Sequence, residues 1–232
     1  MAKNKVELEI PSSLDEITLS QYQRYMKVVD KNESEQATDF VNKKLIEIFC
    51  NIPLNEVDQI AFHEYEKILV VLKEAFDQKP EHKRIFKFYD VDMGFLPKLD
   101  EITLGEFIDV ESNIGDWQNI HKAMAVLYRP VNFRKNESYT IAPYTPKEDF
   151  QEMMKDMPLS IVMGAMVFFY DLGMELSVAT LNYMDKLAKD KNNIQLKRLL
   201  EQNGDGLAQF TNLAKGISSD LIKLQLNPFS NV

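Results

Sequence analysis

Thiols are almost missing from this chain: Cys50 is the single cysteine in 232 residues. One thiol cannot build an internal disulfide or a thiolate metal cluster, and the composition fits a reducing compartment. Ile48 and Phe49 precede it in an apolar helix end, where burial raises a thiol's pKa and dulls its reactivity. Histidine is scarce too. Only His63, His82 and His121 occur, and no two of them form an HExxH or other close ligand pair. His63 falls on the first turn of a helix and is expected to face solvent. His121 falls on an apolar helical face, the setting of a hydrogen-bonded core residue.

Long apolar runs are lacking. The longest uncharged stretch, Met157–Tyr170, is well short of the ~20 residues that a spanning helix requires, so it reads as a buried core helix and no membrane association is expected. The N-terminus, MAKNKVELEI, carries no apolar signal core or small-residue cleavage site, which argues against secretion. Positive charge is also short. A net charge of -9 opposes binding to nucleic acid, which needs clustered Lys and Arg. Lys79, Lys83, Arg84 and Lys87, the one basic cluster, are interrupted by Pro80 and Glu81 and read as a solvated strand flank.

Catalytic and ligand motifs are absent or broken. No GxSxG occurs, and Asn203-Gly204-Asp205-Gly206 lacks the Lys and Ser or Thr of a phosphate loop. Asp90, Asp92 and Glu101 mimic three ligands of a calcium loop. Gly94, however, stands at the fifth position instead of the sixth, and Pro97 stiffens the backbone, so a hairpin turn is expected. Asp109, Glu111 and Asp116 surround a helix junction and could serve acid–base chemistry, but capping and solvation account for them. Neither a cofactor nor a metal is expected.

What the sequence has in quantity is instruction for helix entry. Leu14–Leu19 and Leu99–Leu104 are the same hexapeptide, LDEITL. In the first copy Thr18 is followed at N3 by Gln21, and in the second Thr103 is followed by Glu106, two capping boxes. Ile17 with Tyr22 and Ile102 with Phe107 stand where hydrophobic staples form. Thr145-Pro146-Lys147-Glu148 reads as a third box with Pro at N1. The likeness decays after the hexapeptide, so it marks a reused helix entry, with domain duplication as the weaker reading.

Along the rest of the chain, Val6, Leu8 and Ile10 alternate with Glu7 and Glu9, predicting a short strand ended by Pro11. Helices are predicted over 36–51, ended by Pro53, and over 63–76. Ile85–Tyr89 and a strand ending at Pro97 form a hairpin, which with residues 5–10 makes a three-stranded sheet. Asp116 caps a predicted helix over 117–129 whose inner face holds Trp117, Ile120, His121, Met124, Leu127 and Tyr128, and Pro130 ends it. A second hairpin joins 131–133 to 139–141. Helices follow over 146–155 and from Pro158 to about residue 187, the latter apolar on nearly every side over 159–172.

Near the C-terminus Leu207, Phe210, Ala214, Ile217, Leu221 and Leu224 advance by alternating threes and fours, a coiled-coil-like seam. The seam either docks on its own domain or forms a partner-binding surface. The whole is expected to be one domain over 1–232 with a C-terminal helical subregion at 190–232. Its expected class is α+β, predominantly helical, with a small antiparallel sheet packed against a helical bundle and a buried central helix.

The succession MGFLPKLDEITLGEFIDV, DWQNIHKAMAVLYRPV and MKDMPLSIVMGAMVFFYDLGMEL resembles small proteins encoded among the virion and assembly genes of large tailed bacteriophages, including crAss-like phages. It covers roughly residues 12–175, and its motifs are structural. The resemblance implies a non-enzymatic morphogenesis protein: a tail-assembly chaperone, or a tail or neck component. Its partners would be other virion or tail proteins, or further copies of itself, in the host cytoplasm during assembly or in the virion. An acidic, Met-rich and aromatic-rich chain suits such binding, because Met adapts to irregular surfaces. The alternative is a phage enzyme whose site gathers dispersed polar residues. It requires a deep pocket where His121, Arg129 or the Asp109 group converge.

Overall fold

Two helix entries are laced together at the centre of the molecule. In the structure, a computed structural model describing residues 8–32 and 38–189, Thr18 and Pro158 form an isolated antiparallel bridge. The Leu19 amide donates to the Met157 carbonyl at 2.9 Å, and the Leu159 amide to the Ile17 carbonyl at 2.7 Å. Orphan donors at two helix starts are thereby satisfied by chain instead of water. Ser160 donates to the Asp15 carboxylate beside them. The helices that start here are α1 (Leu19–Lys31) and α8 (Leu159–Lys189).

Between them run α2 (Thr38–Phe49), α3 (Leu54–Val57), α4 (Phe62–Phe76), β1 (Ile85–Phe88), β2 (Val91–Phe95), α5 (Leu104–Ile114), α6 (Ile120–Leu127), β3 (Tyr128–Lys135), β4 (Ser138–Ile141) and α7 (Glu148–Met153). The four strands form one antiparallel sheet in sequence order. The chain is therefore α+β and predominantly helical, as its sequence pattern indicates. In α8, Leu159, Ile161, Val162, Met163, Ala165, Met166 and Phe169 are all buried, so the apolar stretch is the expected core helix. A Cβ at Gly164 would lie 2.3 Å from the Glu81 carbonyl oxygen. Only glycine permits that approach.

Local chemistry explains most boundaries. Asn51 takes φ 52° after α2, and the Ile52 amide donates to the Glu47 carbonyl, a Schellman close followed by Pro53. Tyr89 and Asp90 both have positive φ, the signature of a two-residue type I′ hairpin, and Phe88 pairs with Val91 across it. The Asp90–Asp92 stretch is thus the hairpin turn that its broken calcium pattern suggests. Gly94 leaves room for the Tyr139 ring, which would come within 2.7 Å of a Cβ there. Tyr139 donates to the Phe95 carbonyl at 2.7 Å and holds β2 under β4.

Three expectations are corrected. Residues 8–10 are irregular, with the start of that segment outside the described residues, and the sheet draws its extra strands from 128–141 instead. The helix before Pro130 ends at Leu127: Tyr128, Arg129 and Pro130 pair with Phe95, Gly94 and Met93. A residue preceding proline is pushed from helical to extended backbone, and here β2 offers a partner for it. Lastly, Thr145 caps nothing. The helix starts three residues later, with Lys147 as an extended N-cap lacking a side-chain bond. That register puts Glu148 and Asp149 in the first turn, favourable to the helix dipole.

Candidate functional site

The two LDEITL copies both form complete capping boxes, yet their N3 residues are used differently. Thr18 N donates to Gln21 Oε1 at 2.9 Å, and the spare amide of Gln21 donates to the carbonyls of Ile48 and Phe49 at the end of α2. Thr103 N and Oγ1 donate to Glu106 Oε2 at 2.9 and 2.8 Å. The spare oxygen of Glu106 then accepts from Arg129 Nη2 at 2.8 Å, with both side chains buried. An amide is needed where acceptors wait and a carboxylate where a cation waits.

This pair anchors a polar network between α5, β3 and the segment before α7. The Arg129 guanidinium lies 5.9 Å from the Tyr144 ring centre, and Tyr144 Oη donates to Asp109 Oδ2 at 2.7 Å. Burial works to raise the Glu106 pKa, but the Thr103 amide, the Thr103 hydroxyl and Arg129 together hold it below the usual carboxylate range. Burial, reinforced by Asp109, pushes the Tyr144 hydroxyl up to about 12. A carboxylate kept charged and a phenol kept protonated suit a fixed scaffold better than proton transfer near neutral pH.

The remaining candidates have separate duties. His121 is buried, 3.3 Å from Gln23 Nε2 and 3.5 Å from Glu152 Oε1. It is the hydrogen-bonded core residue expected, and its polar contacts do not include Arg129 or Asp109. Burial holds its pKa below the ordinary value, as do Lys155 and Lys122, against Glu152. Asp116 does not cap α6 as expected: the helix starts at Ile120 with Asn119 as its N-cap, and Asp116 accepts from the Gln118 amide at 2.8 Å in the turn before it. Cys50 is buried, and burial pushes its thiol up to about 11. His63 is exposed beside Glu64. Among the described residues no cluster of three or more metal-ligating side chains occurs, and no helix is long and apolar enough to cross a membrane. The seam from Leu207 to Leu224 lies outside the described residues.

What stands out is the face of α5 that adjoins its buried side. While Glu106, Val110 and Ile114 are buried, Leu104 is 75%, Phe107 38% and Ile108 49% exposed. Positions i, i+3 and i+4 are neighbours on a helix, so the three form one apolar stripe in water. Gly105 beside them has open space where a Cβ would be. Phe107, expected to staple the helix start, is partly exposed and shares this stripe, whereas Ile17 and Tyr22 of the first copy are fully buried. A signal was present in the sequence. The apolar positions of α5 sweep roughly 160° of the helix at 100° per residue, wider than one core-facing stripe requires. Nothing in such a sweep says which part is left uncovered.

No protein-family model matches the chain, and neither a curated protein nor a solved structure matches it.

Proposed function

We propose that this chain is a non-enzymatic morphogenesis protein of a tailed bacteriophage, a tail-assembly chaperone or a tail or neck component, that holds apolar surface of other virion proteins on the outer face of α5. The observation that carries the binding reading is the stripe of Leu104, Phe107 and Ile108. Scattered exposed apolar residues are ordinary, but adjacent ones on one helix are a usual mark of a protein contact. A partner would lay a helix or apolar edge along it, reading the i, i+3, i+4 spacing. The phage context rests on the resemblance of the three motif stretches. The polar groups that an enzyme would recruit are engaged in folding: Glu106 in a cap and an ion pair, Asp109 with Tyr144, His121 with Gln23.

The test is mass spectrometry of purified virions alongside size-exclusion fractions of infected lysate, following this chain. Its presence in the particle assigns a structural component. Its presence only in complexes with tail or neck proteins assigns a chaperone. Absence from both contradicts the proposal.

A further inference from the structure

We infer that the occupant of the α5 stripe is a basic amphipathic helix of the partner, with apolar residues against Leu104, Phe107 and Ile108 and a Lys or Arg over Glu111. The inference rests on the α5 face being a docking face, as proposed above, and names the chemistry of what docks there. Glu111 carries it. On the helix this side chain stands about 20° from Leu104, between Phe107 and Ile108, so it continues the stripe toward the C-terminal end of α5. It is half-buried and makes no ion pair or side-chain hydrogen bond among the described residues. A partner helix long enough to cover the three apolar side chains therefore reaches Glu111 as well.

Covering a carboxylate strips it of water, and a cation brought by the partner offsets that loss. The neighbouring chain does not supply one. Residues 99–114 carry Asp100, Glu101, Glu106, Asp109 and Glu111 without a single Lys or Arg. Arg129 is buried against Glu106, and Lys98 is held by Glu101 at 2.6 Å. An uncharged or acidic helix would leave Glu111 without a counter-charge, and the α5 stripe of a second copy would set one row of carboxylates against another. A basic amphipathic helix meets both demands. Its apolar i, i+3 and i+4 positions match the stripe, and a cation one turn beyond them meets Glu111.

The test titrates the full chain, by fluorescence anisotropy, against two synthetic helical peptides that share a Leu stripe at i, i+3, i+4 and i+7. They differ only at the flanking positions, which are Lys in one and Glu in the other. The Lys peptide is expected to bind at least about 10-fold tighter. Its affinity should fall about 5-fold with Glu111→Gln and further with Leu104→Glu/Ile108→Glu, but not with Glu66→Gln, which removes the same charge from an exposed position of α4. Equal affinities for the two peptides, or binding of neither, overturn the inference. So does an equal response to Glu111→Gln and Glu66→Gln, which assigns the preference to the net charge of -9, and so does a Lys peptide indifferent to the stripe variant. Circular dichroism confirms that each variant is folded, and Asp100→Asn, at the exposed turn before α5, repeats the comparison if Glu111→Gln is not. The expected preference without capture of any tail or neck protein leaves the inference standing and removes the functional reading. Capture through α5 with no preference between the peptides does the reverse.

Discussion

Replacing Glu106 by Gln separates two duties of one carboxylate. The amide oxygen of Gln can still accept from the Thr103 amide, as Gln21 does from Thr18 in the first copy at the same 2.9 Å. What disappears is the negative charge 2.8 Å from Arg129, in a place where both side chains are less than a tenth exposed. Removing one member of a buried pair leaves its partner's charge uncompensated, which costs 3–5 kcal/mol in typical cases. A neutral oxygen near Arg129 offsets part of this, so Glu106→Gln should cost about 3 kcal/mol. Urea unfolding followed by far-UV circular dichroism, with buried Trp117 as a second probe, should show a lower midpoint at unchanged slope. Adding Arg129→Met should recover about 2 kcal/mol, since it removes the stranded charge. A Glu106→Gln variant within 1 kcal/mol of the parent, or a double variant no better than the single one, would refute the division of labour.

Other outcomes follow from the same geometry. Gly164→Ala must push α8 off the Glu81 backbone, and a loss of about 2 kcal/mol in denaturant unfolding is expected despite alanine's better helix propensity. His121 and His82 both have pKa values held below their ordinary 6.5, chiefly by burial. Their unfolded forms therefore bind protons first. Stability should be full above about pH 6.5, fall as pH drops below it, and fall again below about 4.5, where the unfolded chain takes up a proton at Glu106 before the folded one does; an unfolding midpoint that stays flat from pH 7 to 5 would contradict the histidine part. Cys50 should react with thiol reagents only upon unfolding, so labelling of the native protein at the rate of a free thiol would show the site to be open.

Features encoded by neighbouring residues were legible in the sequence. Thr18 and Thr103 cap their helices because box, hydroxyl and N3 acceptor sit within four positions, and the Tyr89-Asp90 turn follows from two short strands meeting. Thr145 fails by the same standard, because the identical pattern three residues upstream competes with a start that places Glu148 and Asp149 in the first turn. The end of α6 depended on distant chain. Arg129 becomes extended since Pro130 disfavours helix before it and β2 supplies a ladder partner. The Glu106–Arg129 contact was not legible, because nothing in either neighbourhood announces the other. The α5 stripe was only half legible: its apolar sweep is in the sequence, but its exposure depends on where α6 and the sheet settle.

The central claim is that the outer face of α5 binds other proteins. Its most direct test is quantitative affinity capture from infected cells with the full chain and with Leu104→Glu/Ile108→Glu, two exposed positions whose change should leave the thermal unfolding midpoint nearly unmoved. The account predicts that tail or neck proteins captured by the parent chain fall at least 10-fold with the variant. Equal capture by both chains would contradict it.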